Sequence, residues 1–312
     1  MPTAVVFPGQ GAQEPGLGRA WLDDPAWGVV ARAEEASGRD LSHLLVHADA
    51  EELARTDNAQ LTMLIHGLVV WEAVRPRLEE APVAFAGHSL GQLTALVAAG
   101  AVGLEDGVRL AVVRAEATQA AADERPGAMA AVLGLDVAQV EELCHATEDC
   151  WVANHNAPAQ IAVGGTPAAV DTVARAARGA GAKKVVPLRV GGAFHTPLMA
   201  SARAALGPSL DHTPFSDTSA PVVANHDGRA HRDGAGWPDR LGRHLTERVR
   251  WHDCSCTLAE SGADRVIEVG AARLLGPMMR RSVRGLDVHG IAAPDDLVEL
   301  DRGAAEPVEA EG

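Results

Sequence analysis

The chain has 312 residues, 47% of them hydrophobic and 22% charged, which suffices for one large domain or for a large and a small one sharing a core. Its formal net charge of −15 repels nucleic acid and anionic membrane surfaces over long range, so an acidic partner requires a local basic patch. No apolar run is long enough to span a membrane, no signal-like segment precedes the first strand, and the spacing of Cys144, Cys150, Cys254 and Cys256 fits neither a zinc site nor a disulfide framework, so a cytoplasmic location is expected.

Residues 3–7 read as a buried strand, followed by a glycine-rich turn at Pro8 to Gln13. Asp57-Asn58 marks the start of a largely buried helix over Ala59 to Val74. A short apolar strand at 82–86 leads into Gly87-His88-Ser89-Leu90-Gly91 and then a helical stretch. A further helix over 104–122 carries Arg109 and Arg114. After Pro126-Gly127 the pattern becomes strand, helix (136–148), strand, strand, helix (166–179), strand, up to Val190. That β-α-β-β-α-β order is the ferredoxin-like arrangement and reads as a small domain inserted into a larger one. The chain returns at Gly191 with a helix at 197–206, a strand at 221–225, a helix ending near Arg248, a helix at 253–261 and a strand at 265–270. From Pro294 the sequence is acidic and poor in large apolar residues, which predicts a frayed tail over 294–312.

The chemistry begins at Ser89. A serine hydroxyl is a weak nucleophile until a base takes its proton. In G-x-S-x-G between a strand and a helix, the flanking glycines permit a strained turn that lifts the hydroxyl above the end of the sheet. The amide of the following residue, Leu90, then faces the developing oxyanion, and the loop around Gln10 is the natural source of a second donor. His195 is the base candidate: of 13 histidines it is the one at a loop-to-helix junction between Gly-Gly-Ala-Phe and Thr-Pro. No Asp or Glu stands out to orient it, and a backbone carbonyl can serve instead.

The segments Gly9-Gln10-Gly11-Ala12-Gln13, Gly87 to Gly91, Arg114, Gly127-Ala128-Met129-Ala130, Ala193-Phe194-His195-Thr196-Pro197-Leu198-Met199 and Glu268-Val269-Gly270 occur in one order. Over about residues 3–285 this resembles the malonyl-CoA:acyl carrier protein transacylase family, which includes discrete enzymes of fatty-acid synthesis and the acyltransferases of polyketide synthases. The resemblance implies an α/β fold: an α/β-hydrolase-like catalytic domain over 1–126 and 191–290, with a ferredoxin-like insert over 127–190. It implies ping-pong transfer of a malonyl-type group from coenzyme A to Ser89, and from there to the phosphopantetheine thiol of an acyl carrier protein. His195 would be the base and then the acid, Gln10 and Leu90 the oxyanion amides, and His88 part of the acyl pocket. Arg114 would grip the free carboxylate, because a planar guanidinium fits it bidentately and an unpaired buried guanidinium penalises an acyl chain without one. Phe194 and Leu90 resemble malonyl-selective members, and an Asn/Pro/Gln run including Asn154 lies beside the cleft in the family.

The sequence also departs from the family's pattern. Gln92 replaces a Glu, Thr118 stands where a Met is common, Arg248 replaces a Pro, and His244 falls where a backbone carbonyl orients the base. These changes point to a specialised enzyme of a secondary-metabolite pathway. Docking of an acidic carrier protein calls for a basic rim, for which Lys183, Lys184, Arg273, Arg280 and Arg281 are the densest candidates. No metal or resident redox cofactor is implied, coenzyme A thioester entering as substrate. A monomer is the default. Alternatives are an editing acyl hydrolase with the same serine and histidine, an inactive scaffold, and transfer of a larger acyl group, including carrier-to-carrier transfer.

Overall fold

The structure, a computed structural model, describes residues 1–271, 273–298 and 300. In chain order the first half comprises β1 (Thr3–Phe7), α1 (Gly28–Ser37), α2 (Leu41–Val46), α3 (Ala50–Ala54), α4 (Thr56–Val74), β2 (Ala84–Gly87), α5 (Gly91–Ala98) and α6 (Leu104–Glu124). Then follow β3 (Ala128–Leu133), α7 (Val137–His145), β4 (Cys150–Ala157), β5 (Gln160–Gly165), α8 (Pro167–Gly179) and β6 (Lys184–Pro187). The chain closes with α9 (Ala200–His212), β7 (Val222–Val223), β8 (Ala230–His231), α10 (Trp237–Thr246), α11 (Trp251–Glu260), β9 (Arg265–Val269), α12 (Gly276–Ser282) and β10 (Asp287–Ile291).

Two sheets organise these elements. The larger has the order β10-β9-β1-β2-β7-β8, parallel except for the β8 edge. Every residue of β1 is buried, as a central parallel strand requires. Its alternation splits the interior: Val5 and Phe7 join the core that contains α4, whereas Ala4 and Val6 join the core around Trp251 and Leu258 of α11. Helix α4 is apolar nearly all round and is correspondingly buried all round. The smaller sheet is antiparallel with the order β4-β5-β3-β6, and α7 and α8 contribute Val140, Cys144, Val170 and Val173 to its own core. The segment after α10 ties this sheet to the rest: Val249 N–H donates to Ala153 O at 2.9 Å and His155 N–H to Val249 O at 2.8 Å. Arg248 adds an ion pair to Glu141 of α7.

Several expected boundaries shift. Helix α4 begins at Thr56 because Arg55 is the extended residue before it, and Arg55 pairs with Asp57 at 3.0 Å inside the first turn. The stretch from Pro197 opens as a single 3-10 turn, and the helix proper runs from Ala200 to His212. The strand β10 was not expected, since its short run resembles a surface loop until β9 pairs with it. The frayed tail does not begin at Pro294: Leu297 and Leu300 are buried in the main core, because two apolar residues suffice to pin this segment. The remainder of that tail, 301–312, lies outside the described residues.

His66 on α4 is 1% exposed and burial pushes its imidazole down to about 4. The unfolded chain therefore takes up a proton below about pH 6.5 that the folded chain refuses, so stability falls as pH drops from there toward 4. We expect His66→Leu to flatten the pH dependence of stability in this window by up to about 1.4 kcal/mol per pH unit, measured by chemical denaturation at pH 7.5, 6 and 5. An unchanged slope would contradict this assignment.

Candidate active site

The site is assembled at the carboxyl ends of three adjacent strands, the usual place for function in an open parallel sheet. Strand β1 delivers the loop with Gly9 and Gln10, β2 the turn with Ser89, and β7 leads to Asn225. The turn after β2 is too tight for side chains at its glycines. A Cβ on Gly87 would stand 1.9 Å from the Gly91 carbonyl carbon, and one on Gly91 2.1 Å from the Phe7 oxygen. A Cβ on Gly9 would meet the His88 oxygen at 2.6 Å, so the β1 loop is pressed against the elbow. Ser89 itself has φ 53°, a left-handed conformation uncommon for a residue with a Cβ.

Ser89 Oγ lies 2.8 Å from His195 Nε2. His195 Nδ1 lies 2.8 Å from the backbone oxygen of His244. The carbonyl can only accept, so Nδ1 carries the proton and Nε2 is free to receive one from Ser89. His195 also has a positive φ, 60°, and is 5% exposed. Burial, aided by the charges of Arg114 and His88, outweighs the His244 carbonyl and pushes it down to about 3. The ring is therefore neutral at neutral pH, as a general base must be.

Ser89, His195, Gln10, Phe194, Arg114 and Thr118 all line one small cavity, with Gln60, Met199 and Leu245 completing its walls. Arg114 is 8% exposed, and burial alone lowers it to about 10, so it stays cationic. Its Nη1 donates to Gln60 Oε1. Gln60 Nε2 donates to Thr118 Oγ1 at 2.8 Å, and that hydroxyl donates to Arg114 O at 2.9 Å. Among the described residues no carboxylate pairs with Arg114. A buried cation held only by a neutral amide is poised to take an anionic ligand.

The backbone N–H groups of Gln10 and Leu90 have no hydrogen-bond partner among the described residues. His88 lies behind the cavity wall: its Nε2 is 2.9 Å from Asn156 Oδ1, and its ring meets Trp251 edge-on at 5.5 Å. Asn154 stands against His88, 3.4 Å from the same nitrogen, and its backbone bridges to Val249. Neither residue is in the lining of the small cavity. A wider cleft of about 340 Å³ also reaches His195, between Trp151 and Cys144 on one side and Arg248 and Arg250 on the other. Lys183, Lys184, Arg273, Arg280 and Arg281 are exposed. Among the described residues no cluster of His, Cys, Asp and Glu is arranged to hold a metal ion, and no helix is long and apolar enough to cross a membrane.

Sequence reasoning missed Gln60 and Asn225. Asn225 Oδ1 accepts from Ser89 N–H at 2.8 Å and its Nδ2 donates to Gly87 O at 2.8 Å. Its place just beyond an apolar strand was the available signal. For Gln60 the signal was a long polar side chain in an otherwise apolar helix.

An α/β sheet with an elbow serine, a neutral histidine and a buried arginine that no carboxylate neutralises among the described residues has the makings of an acyltransferase for carboxylate-bearing acyl groups. Residues 4–292 match the family described as acyl transferase domain. A malonyl CoA-acyl carrier protein transacylase of Salmonella typhimurium is 34% identical over 299 residues, spanning 94% of this chain and 97% of that one. A solved malonyl-CoA:acyl carrier protein transacylase from Xanthomonas oryzae pv. oryzae superposes with a TM-score of 0.92 at 37% identity, covering 97% of this chain and 99% of that one. A malonyl-transacylase solved in complex with its type II PKS acyl-carrier protein gives a TM-score of 0.93 at 30% identity, over 97% and 100% of the two chains. The chain belongs to the malonyl-CoA:acyl carrier protein transacylase family.

Thr118→Val keeps the side chain's shape and removes the acceptor for Gln60 Nε2. Leaving that buried N–H unpaired should cost about 1–3 kcal/mol of stability and release Gln60 from its hold on Arg114. We expect a lower Tm and a raised KM for a carboxylate-bearing thioester with kcat little changed. Wild-type KM in a folded Thr118→Val protein would refute the orienting role.

Proposed function

We propose that this enzyme moves a malonyl group from coenzyme A to an acyl carrier protein through an ester on Ser89. The observation that carries the residue assignment is the 2.8 Å contact between Ser89 Oγ and His195 Nε2 beside a buried Arg114 that lacks a carboxylate. In the first half-reaction His195 Nε2 takes the Ser89 proton as Oγ bonds to the thioester carbonyl carbon. The oxyanion is received by the amides of Gln10 and Leu90, each such donor being worth roughly 3–4 kcal/mol of barrier. Collapse breaks the carbon–sulfur bond, and His195 returns its proton to the leaving thiolate. In the second half-reaction His195 takes the proton of the carrier's phosphopantetheine thiol. The sulfur attacks the ester, and Ser89 leaves with the proton returned. Arg114 binds the acyl carboxylate throughout and excludes acyl chains that would leave it unpaired. The wider cleft at His195 suits the approach of the pantetheine arm. Nucleophile, base and carboxylate clamp are all side chains, so the reaction needs no resident cofactor.

The chain order from β3 to β6 together with the strand order β4-β5-β3-β6 supports a ferredoxin-like insert over 127–190. The six-stranded unit, from 1–126 and 191–290, is then the α/β-hydrolase-like catalytic domain. The protein acts in the cytoplasm, in polyketide or fatty-acid synthesis. His88 and Asn154 support the elbow from behind, and Phe194 narrows the acyl cavity toward malonyl.

For carrier docking we favour the rim around α12. Arg281 Nη1 donates to Gln160 Oε1 at 2.6 Å, and Gln160, Leu133 and Lys184 pair across β5, β3 and β6. Lys184 thus lies two strands from the residue that Arg281 contacts. We assign the likewise exposed Lys183, Arg273 and Arg280 to the same docking rim.

Two measurements test the proposal. Brief incubation with malonyl-, methylmalonyl-, ethylmalonyl- and acetyl-CoA, followed by intact-protein mass spectrometry, should show malonyl addition that disappears in Ser89→Ala. Acetyl addition as strong as malonyl, or none from any thioester, would reject the role given to Arg114. Arg280→Glu with Arg281→Glu should raise the carrier's KM several-fold and leave acyl-Ser89 formation intact. Equal loss in both half-reactions would remove this rim from docking.

A further inference from the structure

One side chain contacts both halves of the machinery without lining the cavity. Gln92, on the first turn of α5, is fully buried, as is Asn225. Its Oε1 accepts from Asn225 N–H at 2.5 Å. Asn225 Oδ1 in turn holds the Ser89 N–H at 2.8 Å. On its other side, Gln92 Nε2 is 3.4 Å from His244 Nδ1. The carbonyl of His244 holds His195 at 2.8 Å, its ring stacks on the His195 ring at 4.8 Å, and His195 contacts Ser89 Oγ at 2.8 Å. These contacts form a closed loop through Ser89, Asn225, Gln92, His244 and His195. We propose that Gln92 is a positioning residue for catalysis: it locks the register between the nucleophile elbow and the segment that carries the base's carbonyl.

The chemistry of the loop is specific. The amide oxygen serves an N–H, which leaves the amide nitrogen as donor to His244 Nδ1 and puts the His244 proton on Nε2. Both histidine rings are then neutral, consistent with burial holding His244 well below its ordinary range. Other groups facing this pair are Arg114, His88 and His226, all of which disfavour an added positive charge. A side chain at position 92 that only accepts can close the same loop in one other way, with His244 donating from Nδ1. Glutamate is such a side chain, and its charge would favour protonation of the stacked pair.

The inference rests on the acyl-Ser89 reading, and the test separates the two. Rates of acyl-Ser89 formation from malonyl-CoA are measured across pH by rapid-quench mass spectrometry for the parent, Gln92→Met, Gln92→Glu and Ser89→Ala, with Tm for each. Misplacing a catalytic group by about 1 Å can cost about 100-fold, so Gln92→Met, which neither donates nor accepts, should acylate about 10–100-fold more slowly. Its KM should stay within about twofold, because no substrate-binding group has moved. Gln92→Glu should keep a near-parental plateau, with the acid limb of its rate profile moved to higher pH. Gln92→Met within about twofold of the parent would overturn the proposal, as would a Gln92→Glu plateau as low as that of Gln92→Met. If Gln92→Met does not fold, the Gln92→Glu profile decides: a near-parental plateau with a displaced limb supports the loop, and anything else overturns it. Acylation of Ser89→Ala would instead overturn the reading on which the inference rests.

Discussion

The close approach of two backbones at the end of β1 is the constraint on which the remainder of the site depends. Gly91 sits where any Cβ would stand 2.1 Å from the Phe7 oxygen, and Gly9 where one would stand 2.6 Å from the His88 oxygen. Because both gaps are closed, the elbow and the β1 loop are effectively one surface. Their proximity places Gln10 in the wall of the same small cavity as Ser89. It also fixes Ser89 in a left-handed conformation that a free chain would avoid. The cost is borne by the packing of β1, whose residues are buried on both faces of the sheet.

A second constraint is electrostatic. Arg114 is a buried cation whose partner within the protein is the neutral amide of Gln60. Such an arrangement is unfavourable for the isolated fold and favourable for a ligand that supplies a carboxylate. The same charge adds to burial in working against protonation of His195. One buried charge thus bears both on an anion-accepting pocket and on the His195 ring. Gln60 and Thr118 set the position of this charge through their hydrogen bonds.

Much of this was legible in the sequence where local chemistry dictates local structure. The elbow glycines, the apolar β1 and the β-α-β-β-α-β order were all apparent because each is written in a contiguous stretch. His195 was distinguishable from twelve other histidines only through its flanking residues and their resemblance to a family pattern. What was not legible depends on contacts between distant segments. Asn225 supports Ser89 across 136 positions, and Gln60 meets Arg114 across 54. The burial of Leu297 and Leu300 was masked by the acidic residues around them. The brief β10 has no signal of its own, since it becomes a strand by pairing with β9.

The placement of the smaller sheet follows from the same long-range logic. His244, whose carbonyl orients the base, is at the end of α10, five positions before Val249. Val249 is fixed by backbone hydrogen bonds to Ala153 and His155 of β4, and Arg248 by its ion pair to Glu141 of α7. The carbonyl that holds His195 is therefore anchored to the small sheet on one side and to α5 through Gln92 on the other. Tilting the small sheet would move that carbonyl and, through the Asn156–His88 contact, strain the elbow beside Ser89. The small sheet thus reaches the site at two points, the His244 carbonyl and the Asn156–His88 contact beside Ser89, and the cleft between Trp151 and Arg248 opens beside the His195 imidazole. Both β4 and the residues just after His244 line that cleft, so a ligand seated there lies directly against the element that holds the imidazole.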